Sequence, residues 1–170
     1  MAFVRRKKMH GNYYCQLVRN YREGGKHRQE VLCHLGVHDT VGAAIEDVRQ
    51  QLVFHQNEAA SRGEEAHRIE AQLKTLYGDK VEIFEEDEAR DERDRLSWLD
   101  PRREITYYAN VYDDGEYYRA VEAWEVEKQL VDLCIAYHRA VKGAMIHRMR
   151  RSQTQKRLDK LLECQRKYCS

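Results

Sequence analysis

From Ile45 onward one stripe of side chains recurs at alternating spacings of three and four residues: Ile45, Val48, Leu52, His55, Ala59, Arg62, Ala66, Ile69, Leu73 and Leu76. Eight of these ten positions are apolar, and only a helix turns such a pattern into a continuous seam. Asp39 or Thr40 can cap its start and Gly78 stops it, so residues 39–78 read as one long helix. A mirrored stripe runs through Val126, Leu130, Leu133, Tyr137, Ala140, Ala144, His147, Arg151, Thr154, Leu158, Leu161, Gln165 and Tyr168 in a second long helix over 116–170. Both stripes narrow in the middle, where Ala59 and Ala66 can face Ala140 and Ala144. We therefore expect an antiparallel, coiled-coil-like helical hairpin. Val131, Cys134, Val141, Met145 and Met149 widen the apolar face of the last helix enough to touch more than one neighbour. A single proline and a 35% share of charged residues suit extended helices better than one large core.

Residues 1–38 obey a different period. Tyr13-Tyr14-Cys15-Gln16-Leu17-Val18-Arg19 is rich in aromatic and β-branched residues, and Glu23-Gly24-Gly25-Lys26 supplies a tight turn before the return run through Leu35-Gly36. Phe3 to Lys8 forms a first strand, with His10-Gly11-Asn12 as the turn into the second. A period of two places Cys15 and Leu17 on one face with Val31, Cys33 and Leu35, and Arg19 shares that side unless a bulge intervenes. So small a meander is marginal in water, so its apolar face should rest on a helix or on a second copy of the chain. The fold class expected is α+β: a small three-stranded antiparallel module followed by the helical hairpin.

Charge is segregated along the chain although the total is only +1. Residues 1–38 hold eight Lys/Arg against two Glu, a net +6; residues 39–137 hold twelve against 25 Asp/Glu, a net −13; residues 138–170 hold ten against two, a net +8. Two basic ends around an acidic middle point to an electrostatic partner. On the first end the candidate nucleic-acid contacts are Arg5, Arg6, Lys7, Lys8, Arg19, Arg22, Lys26, Arg28 and Gln29, on a ribbon thin enough for a major groove. Arg28 and Gln29 carry the groups that read guanine and adenine edges. On the last helix the candidates are Arg148, Arg151, Lys156, Arg157 and Lys160, beside Arg150. Competing with these readings are lysines and arginines that keep a sheet edge soluble, and basic residues that pair with the acidic middle.

Residues 79–115 read as an acidic connector. Glu85 to Arg95 is a solvated helix or a flexible link, or an acidic segment that competes with nucleic acid for the basic ends. Leu96-Ser97-Trp98-Leu99-Asp100-Pro101 is a short apolar anchor and a break. The tyrosines of Ile105 to Tyr118, around Asp113-Asp114-Gly115, suit either a second hairpin or a helix.

Several classes find little support. The carboxylates cluster in charge runs, the eight histidines lack a nucleophile at a useful spacing, and no Gly-rich loop opens a helix, so no enzyme is expected. Cys15, Cys33, Cys134, Cys164 and Cys169 lack metal-ligand spacing and read as free thiols, so neither a metal nor another cofactor is expected. No run of 18 apolar residues occurs and no apolar leader opens the chain, so no membrane role and a cytoplasmic location are expected.

Tyr21-Arg22-Glu23-Gly24-Gly25-Lys26-His27-Arg28-Gln29, followed by Leu35-Gly36 and an Asp-Thr helix start, resembles the N-terminal β segment of DDE transposases of the IS4 and IS1634 type. The resemblance covers about residues 1–40. It implies a DNA-contacting module that includes Arg22, Lys26, Arg28 and Gln29, without the catalytic domain of that family. The expected function is thus non-catalytic binding of nucleic acid, DNA before RNA and double-stranded DNA first, by a homodimer joined through its stripes. The alternative is a helical scaffold whose basic ends merely balance its middle.

Overall fold

The structure, a computed structural model, describes residues 2–79, 81–104 and 114–169. Three antiparallel strands, β1 (Ala2–Met9), β2 (Asn12–Glu23) and β3 (Lys26–Gly36), form one sheet in the order β1-β2-β3. Among the described residues three helices follow, α1 (Val41–Tyr77), α2 (Glu86–Trp98) and α3 (Asp114–Tyr168), with a 3-10 turn at Pro101–Glu104 between the last two. The class is α+β, as the two periodicities require. Both hairpin loops are two-residue turns with positive φ at both positions, 49° and 84° at His10-Gly11 and 59° and 78° at Gly24-Gly25. Such turns match the twist of the strands they join, which is why glycine serves here. The tyrosine-rich residues 105–113 lie outside the described residues, and 114–118 are the first turns of α3.

Two compact units divide the chain, Met1–Glu58 with Ile146–Ser170 and Ala59–Met145. In the first, one face of the sheet packs Cys15, Leu17, Leu32, Cys33 and Leu35 against Val41, Ala44, Ile45 and Val48 of α1 and Leu158, Leu161 and Cys164 of α3. The meander therefore rests on helices of its own chain. Thr40 caps α1, its Oγ1 accepting from the Ala43 amide at 3.1 Å. The face expectation needs one correction: Val31 is 39% exposed, while Leu32 is buried. Leu17 pairs with Cys33 and Val18 with Val31, leaving Leu32 extra; Cys15 pairs with Gly36 and Gln16 with His34, leaving Leu35 extra. Two bulges in β3 thus add two leucines to the core and reverse which neighbours face it. Arg19 stays on the helix side, over the Tyr168 ring at 5.9 Å. Cys33 is buried beside Cys164, and burial, followed by that neighbour, pushes its thiol up to about 12.

In the second unit Ile69 and Leu73 of α1, Ala89 and Leu96 of α2, and Trp124, Val131, Cys134 and Ile135 of α3 form the core. Ala59, Ala66, Ala140 and Ala144 are all buried, and the Arg62 stem lies against Gly143, whose Cβ would meet Arg62 Cδ at 3.4 Å. The guanidinium of Arg62 meanwhile donates to Glu65 at 2.9 Å, so an arginine sits in the stripe by covering a glycine with its methylenes. The expected stripe of the last helix is displaced near its start. Val126 is 54% exposed and Trp124 takes the core position, its Nε1 donating to the Leu96 carbonyl at 2.9 Å. Leu76 is likewise exposed; Tyr77 replaces it and donates to the Val126 carbonyl at 3.0 Å. The acidic run is a packed helix, α2, opened by a capping box in which the Glu85 amide donates to Glu88. Its Glu86 pairs with Arg90 and Lys142, and its Glu92 with Arg95, within this unit.

Candidate nucleic-acid interface

The units differ in charge more sharply than the linear segments do. The sheet-bearing unit holds seventeen Lys/Arg against eight Asp/Glu, a net +9, and the other holds thirteen against 21, a net −8. The basic first segment and eight of the ten Lys/Arg of residues 138–170 fall in one unit.

Within the sheet, residues opposite one another in an antiparallel ladder share a face. The helix-distal face therefore carries six rows: Met9–Asn12, Lys7–Tyr14, Arg5–Gln16–His34, Phe3–Val18–Val31, Asn20–Gln29 and Arg22–His27. No Asp or Glu stands among them. The helix-side face carries Arg6, Lys8, Arg19, Lys26 and Arg28, with both glutamates of the sheet. There Glu30 accepts from Arg19 at 2.6 Å, which raises the Arg19 pKa through that hydrogen bond, and Glu23 pairs with Arg28 at 3.1 Å. Arg6 and Lys8 lie over the Tyr13 ring at 5.9 and 5.8 Å.

Among the described residues β1 pairs from Ala2, opposite Arg19, and beyond that row β2 and β3 pair with each other as a two-stranded ribbon. Every residue from Asn20 to Val31 is exposed. Arg22, Lys26, Arg28 and Gln29 all sit on this ribbon, but alternation sends Arg22 and Gln29 to one face and Lys26 and Arg28 to the other. Arg28 and Gln29, the two residues expected to carry base-reading groups, thus point in opposite directions.

On the helix-distal face the polar side chains are joined. Arg5 donates to Gln29 and, at 2.7 Å, to Gln16; Gln29 donates to Asn20 at 3.1 Å; Gln16 Nε2 lies 3.2 Å from His34 Nδ1. Arg22 reaches His27 Nε2 through Nε at 3.2 Å and Nη2 at 3.0 Å. Gln16, Asn20, His27 and His34 were not among the expected contacts. Gln16, Asn20 and His27 follow from strict alternation out of Arg22 and Gln29, whereas His34 follows only once the bulges are known.

The helical candidates scatter. Arg148, Arg151, Lys156 and Lys160 are exposed, but at about 100° per residue Lys156 and Lys160 lie between about a quarter and half a turn from Arg148 and Arg151. Arg157 is half-buried against the end of β3, where Gly36 has φ 68° and a Cβ would come within 3.2 Å of its Nη2. It braces the sheet on the helix.

No curated protein and no solved structure matches the chain. Residues 3–81, 79 of the 170, match the family model described as IS1634 family transposase, N-terminal domain. The similarity therefore runs beyond the sheet through the whole of α1, and the part of the chain that carries the acid-free face is similar to the N-terminal domain of a transposase family.

Proposed function

We propose that this protein binds double-stranded DNA through its sheet-bearing unit, as a non-catalytic binding module related to mobile-element proteins. One observation carries the reading: the helix-distal face combines Arg5, Lys7 and Arg22 with amides and imidazoles and has no carboxylate, because Glu23 and Glu30 both lie on the opposite face. A phosphate-lined groove attracts such a surface, and the ribbon past Arg19 has the width a major groove admits. The net +9 of the unit and the similarity of residues 3–81 to a transposase N-terminal domain support the same partner. Lys26, Arg28, Arg6 and Lys8 line the other face of the same arm and can follow phosphates. Arg148, Arg151, Lys156 and Lys160 extend the positive surface along α3.

A cytoplasmic protein acting as a homodimer goes with this reading. The apolar stripes are packed within each chain, so a second copy would meet other surfaces, and sedimentation of the free and DNA-bound protein measures the stoichiometry.

Titration of duplex and single-stranded DNA at several salt concentrations tests the reading. Duplex affinity is expected to fall steeply with salt, and Arg22→Ala with Lys26→Ala is expected to weaken it strongly. Absence of duplex binding at low salt would overturn it and leave a helical scaffold as the better account.

A further inference from the structure

Arginine cannot accept a hydrogen bond, whereas an amide can present either end. That asymmetry sets the direction of the whole network on the helix-distal face. Arg5 reaches from β1 across β2 to β3, so Gln16 and Gln29 must both turn their oxygens toward it. Their NH2 groups then point away, Gln29 to Asn20 and Gln16 to His34. Asn20 must in turn offer its Oδ1, and His34 its bare Nδ1. What is left facing outward at the two ends is a donor in each case, Asn20 Nδ2 and His34 Nε2. Arg22 acts in the same way on His27, whose Nε2 accepts and whose Nδ1 is left to donate. With the spare Nη hydrogens of Arg5 and Arg22, the rows flanking Phe3–Val18–Val31 present donors; beyond them Lys7 donates and the Tyr14 hydroxyl can do either.

We infer that this face reads the major-groove edge of guanine-rich duplex DNA through the rows that flank Phe3–Val18–Val31, with Arg5 as the positioning residue that makes them a donor-only surface. The inference rests on the DNA-binding reading above and names the class of sequence it recognises. Guanine is the base whose major-groove edge offers two acceptors, N7 and O6; cytosine offers a donor there, and adenine one of each. A donor-only surface matches guanine and leaves a cytosine or adenine amino group facing another donor.

The test is selection of binding sites from a random duplex library by the full-length wild type, Arg5→Lys, Arg5→Met and Gln29→Glu. Circular dichroism of each variant monitors the sheet. The wild type is expected to enrich clustered guanines on one strand. Arg5→Lys, still donor-only, should keep that preference, while Arg5→Met should lose about tenfold or more in discrimination. In Gln29→Glu both carboxylate oxygens accept, so Asn20 must turn its NH2 inward and its oxygen outward. At the base it touches, preference should move to adenine or cytosine. This variant decides the matter if Arg5→Met fails to fold. Salt-sensitive duplex binding with no consensus, or the same consensus in Arg5→Met or Gln29→Glu as in the wild type, would overturn the inference while leaving DNA binding intact. Loss of all duplex binding in the wild type would remove both.

Discussion

His55 of α1 and His147 of α3 meet with their Nδ1 atoms 3.2 Å apart, beside the Phe54 ring, whose centroid is 5.9 Å from that of His147. One imidazole must donate and the other accept, so the pair holds at most one proton between the two nitrogens. Desolvation, then His147, then Arg150 lower the His55 pKa below its usual 6.5. In the unfolded chain His55 takes up a proton near 6.5, whereas in the folded chain it does so only at lower pH. Its contribution to stability is thus complete above about pH 6.5 and is lost as pH falls from there through the folded value. Thermal melts should show the midpoint dropping between pH 7 and 5, with a shallower drop in His55→Gln. An equal drop in the variant would assign the effect to other groups.

Glu23 holds Arg28 on the exposed ribbon. Glu23→Gln frees that guanidinium without touching the core, so duplex affinity should rise several-fold and the salt slope should steepen by about 0.9, one phosphate contact. Arg22→Ala should lower the slope by about the same amount. Fluorescence anisotropy across a salt series measures both, and a Glu23→Gln protein no tighter than wild type would place Arg28 outside the contact.

The bulges make a prediction that simple alternation inverts. Leu32, an extra residue of β3, is buried in the sheet core, while its neighbour Val31 is 39% exposed. Leu32→Ala should cost about 2–5 kcal/mol in urea unfolding. Val31→Thr, on the open face, should stay within about 0.5 kcal/mol. Were the two costs reversed, β3 would run without its bulges.

The two tryptophans of the acidic unit separate its surface from its core. Trp98 is 83% exposed, and Trp124 is 7% exposed beneath Arg102, whose Cζ lies 4.5 Å from the ring centroid. Trp124→Phe leaves the Leu96 carbonyl without its donor and should cost about 1–3 kcal/mol, with Trp98→Phe near neutral. In acrylamide quenching, the fluorescence left in Trp98→Phe should be the protected one.

Local chemistry alone determined the elements. Paired turn residues at His10-Gly11 and Gly24-Gly25, the Thr40 cap, the Gly78 stop and two long 3,4 stripes place β1, β2, β3 and the two long helices, because each depends on neighbours within a few residues. The resemblance of the first 40 residues to a transposase N-terminal segment was equally legible, although the similarity extends to residue 81. Tertiary packing decided the faces. Leu32 and Leu35 are both drawn onto the helices, and each extra residue reverses the parity of β3, so Val31 turns outward. The same packing gathers residues from both ends of the chain into a unit of net +9 and, past the bulges, turns His34 onto the face of Arg5 and Arg22, whereas alternation from the Gly24-Gly25 turn alone sets Glu23 and Glu30 on the other side. Turn geometry sets the register of the residues next to a turn, but beyond a bulge the face each residue takes is decided by what packs against it, and that is a long-range property of the fold.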